Sequence, residues 1–289
     1  MLVDDEKALA AIFAESPVLV ATHCEDETTI RNNMELFRAK YGDHITASMH
    51  PLIRSAEACY RSTSKAVGLA QRYGTDLHVL HLSTARELSL FEKKPLAEKK
   101  ITNEVCVHHL WFCDADYAAK GNWIKWNPAV KSAEDRQALR EGISNGLVDM
   151  IATDHAPHLR EEKEHPYLNA PSGGPLIQHS LTVMLELAKQ GVCTVEQVVE
   201  KMCHAPAVRF RIHERGFLRP GFFADLVLVD PNAPWTVAPE NILYKCGWSP
   251  FEGTTFSHRV VRTLVNGKIA YENGRVDPTV RGRELAFDR

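Results

Sequence analysis

Three polar residues of ligand-forming type each follow directly on a short apolar run: His23 after residues 18–22, His81 after 77–80 and Asp154 after 150–153. A continuous apolar run suits a strand buried on both faces. In a parallel α/β barrel, the ends of such strands form the face where active sites sit. Two neutral imidazoles and one carboxylate suit a borderline divalent ion such as zinc. A lone strand-end histidine reads more naturally as a hydrogen-bonded structural residue, but three equivalent strand ends with ligand types weigh toward a metal site. Asp154 is the most specific of them. A carboxylate leaving a buried strand needs a stabilising partner, and beside a metal it can take a proton from an attacking water and return it to a leaving nitrogen.

Further candidates surround this set. His158, after Pro157 has redirected the chain, is placed to reach a substrate anion, and Asn127, at an expected strand end before a turn, to hold a substrate ring. The small-residue stretch Ala170-Pro171-Ser172-Gly173-Gly174 has backbone N–H groups bare enough to approach a substrate carboxylate. Other segments read as structural. His78, deeper in the strand of His81, is a packing residue, as is Cys24. His108 and His109, expected at another strand end on opposite faces, cannot both line one site and are kept as candidates for support behind it. The charge runs 25–27 and 161–164 are expected to be solvated, and Trp111, Trp123 and Trp126 to be core or pocket wall.

These residues require elements to position them. Helical patterns over 8–14, 27–40, 55–73, 84–91, 133–144, 175–190 and 195–202 alternate with strand-like runs over 17–22, 77–81, 101–107 and 148–153. Alternation of this kind predicts a parallel sheet. About four β/α units fit, whereas a closed barrel needs eight. The expected fold is therefore α/β, the C-terminal half of a (β/α)8 TIM-type barrel (strands five to eight) over residues 1–213. Residues 214–289 read as a small all-β module, with strands over 224–230, 259–264 and 268–271 and a hairpin turn at Asn266-Gly267. The polar tail 277–289 is expected to be loosely held.

With 34 basic against 37 acidic side chains in 289 residues, the formal net charge of −3 leaves no basic surplus for nucleic acid. The longest apolar stretches are strand-sized, far short of the ~20 residues of a membrane helix. Seven scattered cysteines without a C-x-x-C pair argue against a disulfide framework and for a reducing cytoplasm. The acidic N-terminus lacks the pattern of a signal peptide.

Segments 21–26, 80–84, 104–110, 127–128 and 153–158, with 224–227 and 265–268 in the β module, resemble in this order the second half of dihydroorotases of the amidohydrolase superfamily. The resemblance implies reversible ring-amide hydrolysis, interconverting dihydroorotate and N-carbamoyl-L-aspartate in pyrimidine synthesis. It makes the all-β module part of a small β-sandwich. It implies His23 and His81 as zinc ligands of the fifth and sixth strands and Asp154 as the metal-ligating acid/base of the eighth. Asn127, His158, Ala170, Ser172 and Gly173 would hold the substrate. The family's zinc site is binuclear, yet its first-strand His-x-His pair and its fourth-strand bridging carboxylate or carboxylated lysine have no counterpart here. An N-terminally incomplete chain with about half the metal shell is therefore expected, as a homo-oligomer or with a complementing N-terminal segment. Alternative readings are another cyclic amidase, such as a hydantoinase or allantoinase, and a non-catalytic partner or scaffold beside a carbamoyltransferase.

Overall fold

A computed structural model describes residue 3 and residues 5–288. Val20–Thr22 (β1), Leu77–Val79 (β2), Ile101–Cys106 (β3) and Met150–Ala152 (β4) form a parallel sheet in the order β1-β2-β3-β4. Leu77, Val79 and Val105 have no exposed surface, as in strands covered on both faces. The ladder runs past the strand ends: Leu80 N–H donates to Thr22 O at 3.0 Å and Leu82 N–H to Glu104 O at 2.8 Å.

The crossover helices follow their caps. Ala56–Tyr73 starts at Ser55, whose hydroxyl accepts from Ala58 N–H, and stops at Gly74, with φ +70°. Its buried stripe, Ala58, Cys59, Thr63, Ala66, Val67 and Ala70, keeps three- and four-residue spacing. Glu27–Tyr41 and Ala133–Asn145 begin likewise at Asp26 and Ser132.

Three expectations are corrected. The helix expected over 175–190 is Ser180–Lys189, because Leu176 N–H donates to the His155 ring at 3.0 Å instead of entering a helical ladder. Asn127 does not end a strand. The carbonyls on either side of it are captured by side chains, Trp126 O by His50 Nε2 at 2.6 Å and Pro128 O by His109 Nε2 at 3.1 Å. His108 and His109 lie in the short helix Val107–Trp111 with ring centroids 4.1 Å apart, so the opposite-face rule for strands does not apply to them.

Beyond the β/α units, Leu226–Asp230 (β5), Trp235–Thr236 (β6), Thr255–Phe256 (β7), Arg259–Val265 (β8), Lys268–Glu272 (β9) and Arg275–Val276 (β10) are antiparallel. They form a sheet β10-β9-β8-β5 and a separate β6-β7 pair. Asn266 and Gly267, at φ +50° and +76°, close the β8-β9 hairpin as their types require. The tail is held more firmly than expected: His213 N–H donates to Ala286 O and Asp288 N–H to Arg211 O, both at 2.9 Å. No helix among the described residues is long and apolar enough to cross a membrane.

Candidate active site

The chain leaves β2 and β4 through residues of unusual conformation. His81 has φ +37° and Asp154 φ +47°, a left-handed region costly for most side chains, although Asp and His enter it more readily than others. Strain of this kind gathers where a side chain must be aimed rather than packed. His81 Nε2 lies 3.0 Å from His23 Nδ1, at the end of the neighbouring β1, with the rings edge to face. Burial, then the facing His23, lowers the His81 pKa to about 4, which keeps its imidazole neutral. Its Nδ1 is buried without a protein partner.

The run 25–27 is not uniformly solvated. Glu25 is 6% exposed and its Oε2 lies 3.2 Å from His23 Nε2 while also pairing with Arg54. Burial raises the Glu25 carboxyl, but the His23 hydrogen bond and the charges of Arg54 and Lys131 outweigh it and hold the pKa at about 2. Glu25 thus fixes one edge of the His23 ring while His81 faces the other. Asp26 and Glu27 behave as expected, as helix cap and first turn.

Asp154 is exposed, yet desolvation by the protein around it raises its carboxyl from its ordinary value. His23 opposes that shift and the negative Glu104 adds to it. Glu104 also lies 3.2 Å from His78 Nε2, while His78 Nδ1 meets Thr102 Oγ1 at 2.9 Å. His78 is therefore a buried, hydrogen-bonded residue, and its partner Glu104 sits among the site's charges. Cys24 is buried, and burial pushes its thiol up to about 11, far from a nucleophile's range.

The loop 170–174 forms the other wall. A parallel bridge pairs His155 with Gly174, and Ala156 N–H donates to Gly174 O at 3.2 Å, which ties this loop to the segment leaving Asp154. His158 Nε2 donates to Ser172 O at 3.1 Å. Gly173, at φ +129°, sits so close that a Cβ would lie 2.6 Å from Ala156 O and 3.1 Å from His158 Nε2. Ala170 N–H is committed to Pro166 O at 2.9 Å. Asn127 bonds to none of these residues and its Oδ1 is buried without a partner, although the neighbouring Trp126 packs against Gly174. The structure thus joins His23 with His81, brings His23 and Glu104 to bear on Asp154, and joins His158 with Ser172 and Gly173.

Four residues escaped the sequence reading. Glu25 was signalled by its place two residues after His23. Glu104 was signalled only as a charged residue within a strand, between the buried Asn103 and Val105. Lys125 and Lys163, whose ammonium groups lie under the loop, gave no signal, since Lys163 sits in a run of charges. Cys106, His108 and His109 form a further buried group with ligand atoms within 4.8 Å of one another. There His109 is engaged with Pro128 O, and His108 stacks on Trp126 at 4.3 Å.

The amidohydrolase family model matches residues 5–270. A dihydroorotase of Anoxybacillus flavithermus is 33% identical over 258 residues, 89% of this chain and 59% of that protein. A dihydroorotase of Anaeromyxobacter is 36% identical over 213 residues, 73% and 49% of the two chains. Among solved structures, an L-hydantoinase (dihydropyrimidinase) from Arthrobacter aurescens superposes with a TM-score of 0.86 at 28% identity, covering 93% of this chain and 61% of that one. A D-hydantoinase reaches the same TM-score of 0.86 at 20% identity, a likeness of fold alone. The chain therefore spans between about half and three fifths of the dihydroorotases it matches. A parallel sheet whose strand ends carry the polar residues, in a chain similar to TIM-barrel-type hydrolases nearly throughout, belongs to the amidohydrolase family.

Proposed function

We propose that this chain carries the acid/base and half of the metal-binding groups of a dihydroorotase-type site, which opens the ring amide of dihydroorotate to N-carbamoyl-L-aspartate and closes it again. The observation that carries this reading is the convergence of His23 Nδ1 and His81 Nε2 at 3.0 Å, with Asp154 in the field of His23. Two nitrogens on one tetrahedral zinc stand about 3.3 Å apart, so the pair needs to open by only a few tenths of an ångström. His81 is neutral, the form that binds metal, and Glu25 orients His23 as a carboxylate behind a ligating imidazole does. The two imidazoles therefore fit zinc, which they would hold together with Asp154. When bound, the metal polarises the attacking water and the ring carbonyl.

Asp154 takes the proton of that water as its oxygen adds to the amide carbon. It returns the proton to the ring nitrogen as the C–N bond breaks, and the reverse sequence closes the ring. The raised carboxyl of Asp154 brings its proton affinity closer to that task. His158 and loop 170–173 hold the substrate carboxylate, and Asn127 the ring. In this reading β1–β4 correspond to barrel strands five to eight and the antiparallel sheet to part of a β-sandwich. The other ligands of a binuclear site would come from polypeptide outside these 289 residues, as a complementing segment or a partner subunit. The activity belongs to pyrimidine synthesis in the cytoplasm, and free cysteines suit that compartment.

The test is turnover of dihydroorotate and of hydantoin by the zinc-loaded protein, alone and with candidate complementing segments. The expected result is ring opening of dihydroorotate, lost on His81→Ala. Turnover of hydantoin without dihydroorotate would move the assignment to the hydantoinases, whose solved structures share this fold. Zinc binding to neither histidine would leave a non-catalytic partner.

A further inference from the structure

Of the charge run 161–164, three members are exposed glutamates, whereas Lys163 is 1% exposed. It projects from the short helix Arg160–Glu164 into a pocket made of carbonyl oxygens. Its Nζ donates to Gly173 O at 2.8 Å, Pro171 O at 2.9 Å and Lys125 O at 3.3 Å, which uses all three N–H bonds of an ammonium. Lys125, 7% exposed, does the same alongside, donating to Ala170 O at 2.5 Å and Tyr167 O at 2.8 Å. Neither cation forms an ion pair among the described residues. Burial, then the charge of Lys125, lowers Lys163 to about 7; burial, then the charge of Arg54, lowers Lys125 to about 8. Two adjacent buried cations without a carboxylate are unfavourable unless something else gains from them.

What gains is the loop. The carbonyls of Ala170, Pro171, Ser172 and Gly173 are all occupied, by Lys125, Lys163, His158 and Lys163 in turn. Gly173 N–H is returned to Lys125 O at 2.8 Å. Among the described residues, the N–H and hydroxyl of Ser172 have no protein partner, so the stretch keeps donors free and no free carbonyl. A loop of that polarity suits an anion. Left to itself, a small-residue loop of this kind would sample conformations with its carbonyl oxygens toward the site, where they would repel a carboxylate.

We propose that Lys163, seconded by Lys125, is a positioning residue that turns the carbonyls of loop 170–173 away from the substrate, and so gives the site its preference for a carboxylate-bearing cyclic amide. This rests on the dihydroorotase-type reading for the substrate, though not for the clamp itself. The test uses the zinc-loaded full chain, with any segment its activity needs, and compares Lys163→Met with Lys163→Gln, which retains two N–H donors. For Lys163→Met, KM for dihydroorotate is expected to rise about tenfold or more with kcat within about threefold. KM for hydantoin, which has no carboxylate, should stay unchanged, and amide exchange over residues 170–174 should accelerate at equal zinc content. Lys163→Gln should lie between; if the Met variant does not fold, the Gln variant is read alone. Wild-type exchange in a folded variant overturns the clamp, and an equal rise in KM for both substrates overturns its role in carboxylate preference. If the wild type opens no dihydroorotate, the parent reading and the carboxylate preference fall together, while the exchange measurement still decides the clamp.

Discussion

The two walls of the site are built by different means. On the strand wall, His23, His81 and Asp154 are delivered by the ends of β1, β2 and β4 of one parallel ladder, and the final aim is set by left-handed backbone at His81 and Asp154. On the loop wall there is no comparable ladder. Residues 170–173 hold their shape because side chains from elsewhere in sequence capture their carbonyls. The difference teaches where function and support separate. The strand wall presents groups that can do chemistry, while most polar groups at the loop wall are spent on holding the loop.

Asp154→Asn tests that separation most severely. Loss of the acid/base group should lower kcat on the order of a thousandfold, with amide exchange in loop 170–174 left at the wild-type rate. A variant that keeps more than a tenth of the activity would remove Asp154 from the proton transfers. Glu25→Gln is the next step down on the same wall. The amide cannot hold His23 Nε2 as the carboxylate does, and weakened support behind a ligating imidazole costs about 10- to 100-fold in zinc affinity. Competition with a chelating dye measures this, and unchanged affinity would make Glu25 a partner of Arg54 only.

Acid should undermine the loop wall through its supports. His50 receives the Tyr167 O–H at Nδ1 and donates from Nε2 to Trp126 O, at 2.8 and 2.6 Å, and His109 donates to Pro128 O. Burial lowers both pKa values to about 3. In the unfolded chain these imidazoles take up a proton near pH 6.5 that the folded protein refuses. Their stabilisation is therefore complete above pH 6.5 and is lost as pH falls from there toward 3, by about 1 kcal/mol per imidazole per unit. Urea unfolding between pH 7 and pH 5 reads the slope. His50→Gln, which can still donate to Trp126 O, should make it shallower, and an unchanged slope would show that His50 is charged in the folded protein.

The contrast also explains how much was legible in the sequence. The four strands and the polar residue after each of three of them could be read because backbone ladders impose local apolar runs on the chain. The Asn266-Gly267 turn was legible for the same local reason. Lys163 was not, because its partners are carbonyls, which have no side-chain signature, on residues 8 and 10 positions ahead and 38 behind. His108 and His109 were misplaced because strand and short helix cannot be told apart over five residues. The helix expected from Pro175 failed because an imidazole 21 residues away takes the N–H of Leu176.

The smallest effect is the sharpest control on this account. Glu161 and Glu164 flank Lys163 in sequence, carry charge in the same run and are exposed. If the run acted as a charged surface, as the sequence alone suggests, replacing any member would have a similar, salt-dependent effect. If the loop wall depends on one buried ammonium, Glu161→Ala and Glu164→Ala should stay within about 0.5 kcal/mol of wild-type stability. Their KM for dihydroorotate and their loop exchange should match the wild type at low and high salt, while Lys163→Met shifts both. A rise in KM for Glu164→Ala that disappears at high salt would transfer the effect from the carbonyl pocket to the surface field of the helix, and with it the explanation of why the loop stays in place.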